Sequence, residues 1–266
     1  MSAASSDIEK QDAELVNQAI RTLKSGNGLA AKELLLQVIK NAPSPEDYVY
    51  QCEDDNSLSI KFWGPSEFMH YRTWQNQKES LGKTVTWIPS AYPRAFYYLG
   101  FISLEQGDPL RAIEYLDKGA MLEPTNPQFT LEKGQAYVKM GDFQTGLNLY
   151  GQVTEMSAHV SGDDLAVALR GKGLVLIERG ELELAESAFR ESLRYDPESP
   201  VAANELVYIA HLRQSGDKTK MQLRITEGID PPCMNCGKHL ESSQVYNLEG
   251  RMTYLCEECH GILSKK

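Results

Sequence analysis

A set of three small residues recurs four times along the chain, and its spacing constrains the fold more than any other feature. The four sets are Ala19, Gly26 and Ala31; Gly100, Gly107 and Ala112; Gly134, Gly141 and Gly146; and Gly173, Gly180 and Ala185. The second and third sets are 34 residues apart, and the third and fourth sets are 39 residues apart. A repeat of about this length is typical of a solenoid, in which each unit buries one face against the next.

The residue types within each set predict a pair of antiparallel helices. A small residue in each helix lets the two backbones come close together where the helices cross. The central glycine is followed by Asn27, Asp108 or Asp142 in three of the four units, as a tight turn between helices favours. Prolines at positions 43, 124 and 197 would end the second helix of three units. Four larger residues are expected to fill the core between successive pairs: Leu35, Leu116, Tyr150 and Phe189.

The pattern resembles the tetratricopeptide repeat family, whose units are helical hairpins of about 34 residues. The resemblance implies a mainly α-helical solenoid with repeats at 12–45, 93–126, 127–165 and 166–199. Ser103 and Thr22 stand where the family usually has a tyrosine. The longer spacing before the fourth set indicates five inserted residues, 161–165, between two repeats. Residues 200–219 are expected to form a helix that caps the array.

Three further segments lie outside the repeats: a flexible N-terminus at 1–11, a linker at 220–232, and an insertion at 46–92 between the first two repeats. The insertion holds all three tryptophans of the chain, Trp63, Trp74 and Trp87. Two stretches with strand-like alternation flank a helix that starts at Pro65, which predicts a small α/β unit. Its aromatic rings could form the core of the insertion, or some of them could line a ligand site.

The resemblance also implies where a partner would bind. Tetratricopeptide arrays bind an extended peptide or a helix on the surface lined by the first helix of each repeat. On that surface, and on the insertion, the predicted contact residues are Tyr97, Phe101, Leu131, Gln135, Arg170, Leu174, Trp63 and Trp74.

The chemistry of that surface predicts the kind of partner. Family members that bind an acidic chaperone C-terminus use lysines, asparagines and an arginine at six places. This chain has other residues there: Tyr97, Phe101, Glu132, Gln128, Val167 and Gly171. The carboxylate clamp is therefore absent, and an apolar or aromatic partner motif is expected. The alternative is a groove that is packed internally or covered by the insertion.

Four of the five cysteines form two Cys-x-x-Cys pairs that 19 residues separate: Cys233, Cys236, Cys256 and Cys259. This spacing is close to that of a four-thiolate Zn²⁺ site, in which the ion is structural because no position is open for water. Between the pairs, "SQVYNLEGRMTYL" predicts a hairpin, and a helix is expected after it. A redox switch is the alternative, and His239 or His260 could replace one cysteine ligand.

Residues 233–266 resemble the treble-clef zinc-binding domain of the Clp-family unfoldase ATPase, which implies a module that recognises partners or dimerises. The resemblance does not extend to the ATPase, because the chain has no Gly-rich phosphate-binding loop.

Charge and composition limit the partners and the compartment. The formal net charge of -10 disfavours nucleic acids and anionic membranes. No segment has the roughly 20 apolar residues that a membrane span requires. Apart from the two pairs, the chain has a single cysteine, and such scarcity is typical of proteins in a reducing compartment. A cytoplasmic location is therefore expected.

Together these features predict a non-enzymatic adaptor. Its groove and insertion would bind a protein or peptide, and its zinc module would dock a second partner or a second copy of the chain. One alternative is a regulator that contacts nucleic acid through the zinc finger. Another is an enzyme with its site in the 46–92 insertion, using Cys52, His70 and neighbouring acids, although no catalytic set can be assembled around His70 from the sequence.

Overall fold

The computed structural model describes residues 7–77, 83–156, 160–215, 244–248 and 251–255. The chain divides into two compact units, 1–206 and 207–266. Ten helices lie in the described ranges, and the predicted mainly α-helical fold is confirmed. They are α1 (Asp7–Lys24), α2 (Gly28–Val38), α3 (Pro65–Gln77), α4 (Tyr92–Glu105), α5 (Pro109–Leu122), α6 (Pro127–Lys139), α7 (Phe143–Glu155), α8 (Gly162–Glu178), α9 (Leu182–Tyr195) and α10 (Pro200–Ser215).

The glycine at the centre of each repeated set lies in the turn between two helices, and its own backbone has a left-handed conformation. The four φ angles are 85° at Gly26, 77° at Gly107, 81° at Gly141 and 80° at Gly180. At Gly107 the backbone N–H donates to the carbonyl of Leu104, and the N–H of Asp108 donates to the carbonyl of Ser103. The Asp108 carboxylate then accepts from the N–H of Arg111, in the first turn of α5. One helix is thus terminated and the next is capped within three residues.

The small residues allow the helices to pack closely. A Cβ atom at Gly100 would lie 2.7 Å from Cγ of Leu116, and one at Gly146 would lie 2.6 Å from Cγ2 of Val138. Neither position has room for a larger side chain without movement of its neighbour. The four larger residues expected in the core are all buried: Leu35, Leu116, Tyr150 and Phe189.

The five residues interpreted as inserted, 161–165, cap and begin α8. Ser161 caps the helix, because its hydroxyl accepts from the N–H of Asp164. Acidic residues at 163 and 164 suit the positive end of the helix dipole. As a result α8 has 17 residues, whereas the equivalent helices α4 and α6 have 14 and 13.

The insertion forms a three-stranded sheet with one helix. Strands β1 (Gln51–Glu53) and β2 (Ser57–Phe62) are antiparallel, and β3 (Thr84–Pro89) lies parallel to β2. Helix α3 lies between β2 and β3 along the chain, as a parallel connection requires. Aromatic side chains of α3 and the sheet pack together, with the rings of Phe62 and Phe68 5.5 Å apart and those of Phe68 and Trp87 6.0 Å apart.

A buried ion pair joins the insertion to the first helix. The ammonium of Lys61 lies 2.8 Å from the carboxylate of Glu9, and the two side chains are only 6% and 7% exposed. Helix α1 begins at Asp7, so residues 7–11, which were expected to be flexible, form its first turns. This contact between residues 52 apart explains the difference, because it holds the start of α1 against β2.

Two strands are described in the second unit. Strands β4 (Gln244–Leu248) and β5 (Arg251–Leu255) are antiparallel, with Gln244 paired to Leu255 and Leu248 to Arg251. They occupy the place of the predicted hairpin. The four cysteines predicted to bind zinc, as well as His239 and His260, lie outside the described residues.

Among the helices of the described ranges, none is both long enough and apolar enough to cross a bilayer.

Candidate functional site

Helices α6 and α8, each the first helix of a repeat, are called inner helices here. They form a groove, which is a cavity of about 400 Å³. Its lining residues are Leu131, Glu132, Gln135, Val138 and Lys139 of α6, Tyr150 of α7, Val167, Arg170, Gly171 and Leu174 of α8, and Val201 of α10. On each inner helix these residues are three or four positions apart, so they share one face. Four of the residues predicted to contact a partner lie together here: Leu131, Gln135, Arg170 and Leu174.

The groove is apolar along its middle. Leu131 and Tyr150 are buried and form its floor, whereas Val167 and Leu174 are 42% and 41% exposed. Gly171 makes room for the floor, because a Cβ atom at that position would lie 2.5 Å from Cζ of Tyr150. The result is a concave surface on which α8 presents two exposed apolar side chains two helical turns apart, and α10 adds a third, Val201, which is also exposed.

The charged groups of the groove have partners within the protein. The guanidinium of Arg170 lies 2.9 Å from the carboxylate of Asp196. The ammonium of Lys139 donates to the carbonyl of Leu104. Burial raises the pKa of Glu132 to about 7, with Lys139 and a hydrogen bond from Tyr97 acting in the opposite direction.

A second cavity, of about 350 Å³, lies beside the N-terminal ends of α6 and α8, and we call it the acidic pocket. Gln128 precedes Leu131 by three positions on α6, and Asp163 and Asp164 precede Val167 by four and three on α8. The acidic pocket therefore continues the face that lines the groove. The insertion provides another wall, with Trp63, Glu67 and His70, and α4 contributes Tyr97 and Tyr98.

Trp63 has a structural role as well as a place in the wall of the acidic pocket. Its indole N–H donates to the carboxylate of Glu123 over 2.6 Å. Its ring lies 5.0 Å from that of Tyr97 and 5.5 Å from that of Phe129. Glu123 also accepts from the hydroxyl of Ser90 over 2.9 Å. These contacts fix the insertion against α4, α5 and α6.

The carboxyl of Glu123 is buried at this joint. Burial raises its pKa to about 7, although hydrogen bonds from Trp63, Ser90 and Asn126 act in the opposite direction.

The other two predicted contact residues lie apart from the groove. Trp74 lines a third cavity, of about 250 Å³, together with Tyr50, Phe62 and Tyr71 of the insertion. Phe101 is partly buried and packs against the core formed by α1, α2 and α4. Of the eight predicted contact residues, the structure thus brings four into the groove and two, Trp63 and Tyr97, into the acidic pocket. Whether they bind a peptide stays a prediction.

Of the residues proposed for an enzyme in the insertion, His70 shares a cavity, the acidic pocket, with the neighbouring acid Glu67, whereas Cys52 is not part of that lining. Cys52 lies on β1 opposite Ser59. In the described part of the chain, no group of three or more histidine, cysteine, aspartate or glutamate side chains is arranged to hold a metal ion.

Sequence reasoning missed the acids of the acidic pocket. Glu67 comes from the insertion, whereas Asp163 and Asp164 belong to the five residues interpreted as inserted between two repeats. The extra length was visible in the sequence. The prolongation of α8 also has a local signal, a serine at position 161 followed three residues later by Asp164, but these residues were interpreted as an insertion.

Comparisons with known proteins agree with the solenoid architecture. Residues 131–200, which include most of α6 and all of α7, α8 and α9, match the tetratricopeptide repeat family. PilF of Pseudomonas aeruginosa is similar over 77% of this chain and 71% of its own, with 14% identity and a TM-score of 0.53, which shows a shared fold. No curated protein matches the sequence significantly.

Two other solved structures are less similar in shape. MamA from Desulfovibrio magneticus RS-1, from residue 41 to its end, covers 84% of this chain and 94% of its own, with 18% identity and a TM-score of 0.49. The first tetratricopeptide domain of human RPAP3 covers 47% of this chain and 94% of its own, with 21% identity and a TM-score of 0.42.

Proposed function

We propose that this chain is a non-enzymatic adaptor that binds an apolar segment of a partner protein in the groove between α6 and α8. The repeat match supports the proposal, because tetratricopeptide repeats are interaction modules. One observation carries it: Val167 and Leu174 stay about two-fifths exposed above an apolar floor. Covering them would remove apolar surface from water, the main favourable term in most protein association.

The charges of the groove favour an apolar partner over an acidic one. Its two basic side chains, Arg170 and Lys139, are each held by a group of the protein. The carboxyl of Glu132 lies in the same lining. Among the described residues that line this groove, an acidic tail would therefore find no unpaired cation, and it would meet Glu132.

A second component of the proposal concerns residues 233–266. A structural Zn²⁺ held by Cys233, Cys236, Cys256 and Cys259 would complete a module around the β4–β5 hairpin. The supporting observations are the spacing of the cysteines and the antiparallel pairing of the two strands between them. This module would dock a second protein or a second copy of the chain. Each partner would then be held at a raised effective concentration near the other. The paired cysteines also support a reducing, cytoplasmic location.

The groove is tested by selecting binders from a library of 12-residue peptides displayed on phage, with the intact chain as bait. The affinity of an enriched peptide is then measured by fluorescence anisotropy. We expect Leu174→Asp to weaken binding at least tenfold, because it places a charge on the apolar face. The matched control is Leu184→Asp on α9, where the leucine is 57% exposed outside the groove.

The outcomes are distinct. Loss of binding in Leu174→Asp with retention in Leu184→Asp supports the groove. If no peptide is enriched, or if both variants bind like the unaltered chain, the proposed groove is wrong.

The zinc module is tested by elemental analysis of the purified chain. We expect one zinc per chain, and a loss of that zinc when Cys233 and Cys236 are both replaced by serine. Cys52→Ser is the matched control and should retain the metal. A chain purified without zinc, or an equal loss in the control, would contradict the proposed site.

A further inference from the structure

We infer that the acidic pocket receives a lysine or arginine side chain of the partner, so that the chain recognises a basic residue followed by apolar residues. This inference rests on the proposed groove and specifies the chemistry of its partner. The acidic pocket and the groove share one face of α6 and one face of α8, so a single extended segment can contact both.

The lining of the acidic pocket suits a cation. Three carboxyl groups line it, from Glu67 on α3 and from Asp163 and Asp164 on α8, and no lysine or arginine of the described residues does. Asp163 is exposed, and its carboxylate has no hydrogen bond or ion pair with the described residues. Asp164 accepts from the side-chain amide of Gln128 and from the hydroxyl of Ser161, which holds its carboxylate in position.

Aromatic rings form the remaining walls of the pocket. The ring of Tyr97 lies 5.0 Å from that of Trp63 and 5.2 Å from that of Tyr98, which it meets edge to face. Rings of this kind attract a cation placed over their faces, and they also pack against the methylene groups of a lysine or arginine. The walls therefore fit the whole of a long basic side chain, not only its charge.

The charges around the pocket repel one another. Burial, together with the negative charges of Glu123 and Asp164, raises the pKa of Glu67 to about 7, whereas a hydrogen bond from the backbone N–H of Trp63 and the charge of Arg94 act in the opposite direction. An incoming cation would reduce this repulsion.

The positive groups nearby are already engaged. Arg94 is buried, and its guanidinium donates to the carbonyl of Ser90 and to the side chain of Asn17. The N-terminal ends of α6 and α8 are capped by Asn126 and Ser161.

The geometry also predicts a spacing within the partner. Along α8, Val167 lies three residues beyond Asp164 and Leu174 lies ten residues beyond it, which correspond to about 5 and 15 Å at 1.5 Å per residue. An extended chain advances about 3.3 Å per residue. We therefore expect a basic residue, an apolar residue one or two positions away, and a second apolar residue about four or five positions from the basic one.

The test uses the intact chain and the peptide selection described for the groove. The enriched peptides should contain lysine or arginine at the stated distance from apolar residues. One such lysine peptide is then compared with its norleucine analogue, which keeps the methylene groups and removes the ammonium. We expect Asp163→Asn to weaken binding of the lysine peptide up to about fivefold, as for an exposed ion pair, and to leave the norleucine peptide unaffected.

A matched control separates the pocket from net charge. Glu114→Gln removes one exposed carboxylate from α5, outside the pocket, and should change neither affinity. The inference is wrong if the enriched peptides show no basic preference, or if Asp163→Asn weakens both peptides equally or weakens neither. The proposed groove would still be supported after that result if Leu174→Asp weakened binding at least tenfold. A selection without any binder would overturn both proposals.

Discussion

The indole N–H of Trp63 donates to the carboxylate of Glu123 over 2.6 Å, and this bond joins the insertion to the C-terminal end of α5, 60 residues further along the chain. The acceptor is 3% exposed, so water cannot easily replace a lost donor. The orientation of the insertion, and with it one wall of the acidic pocket, depends on this contact.

Replacing Trp63 by phenylalanine tests the strength of that bond. The ring is largely kept, but the buried carboxylate loses a donor, which typically costs about 1–3 kcal/mol. We expect the free energy of unfolding in urea, followed by circular dichroism, to fall by about that amount. A double-mutant cycle with Glu123→Ala, which removes the acceptor, isolates the interaction, and it should show a coupling energy above about 0.5 kcal/mol. Strictly additive effects would contradict the assigned contact.

The raised pKa of Glu123 predicts that the stability of the folded chain depends on pH. Its pKa is raised by burial from 4.5 to about 7, so between these values the folded chain binds more protons than the unfolded one. Its contribution to stability is therefore largest below about pH 4.5 and is lost as the pH rises through 7. We expect the urea midpoint at pH 8.0 to be lower than at pH 6.0.

Glu67 and Glu132, whose pKa values are also raised to about 7, add to the same trend. The variant Glu123→Gln removes one of these groups and should reduce the difference between the two midpoints. An unchanged difference in that variant would show that Glu123 does not titrate in this range.

The close approach of α4 and α5 predicts opposite effects at two helical glycines. Gly100→Ala places a Cβ atom 2.7 Å from Leu116 and should destabilise the chain by about 1–3 kcal/mol. Gly151→Ala, within α7, meets no atom within 4 Å and should stabilise it by up to about 1 kcal/mol, because alanine favours the helix. Urea unfolding measures both. Stabilisation by Gly100→Ala would contradict the packing described for these helices.

The buried pair of Glu9 and Lys61 predicts non-additive effects. Lys61→Met leaves the Glu9 carboxylate buried without its cation, which typically costs about 3–5 kcal/mol. Adding Glu9→Leu removes the uncompensated charge, so the double variant should be more stable than Lys61→Met alone. The measurement is again the free energy of unfolding. A double variant less stable than both single variants would argue against a buried pair.

Much of the solenoid could be predicted because its causes are local. The turn at Gly107 needs a residue with positive φ followed by a capping side chain, and both are visible in the dipeptide Gly107-Asp108. The close crossing of α4 and α5 needs a small residue at position 100, and the repeat period shows where the equivalent positions lie. The place of the groove followed from the same period, which is why Leu131 and Leu174 could be assigned to one surface.

Trp63 and Phe101 show what the repeat period could not predict, which is the neighbours that their side chains contact. Both were predicted to contact a partner because aromatic residues on an inner helix or an insertion often do so. In the structure, Phe101 packs against the core of α1, α2 and α4, and the indole N–H of Trp63 is bound to Glu123. Periodicity assigns a residue to a helix face, but it does not identify which neighbour covers that face.

The sequence by itself determined the helical hairpins, their turns and the order in which they stack, since each depends on residues only a few positions apart. The tertiary structure alone decided that Lys61 pairs with Glu9 and that acids from the insertion and from α8 share one pocket. Those contacts join residues that are 52 or more positions apart or depend on the position of a neighbouring element. Their energies come from burial and from the removal of water, which no local pattern records.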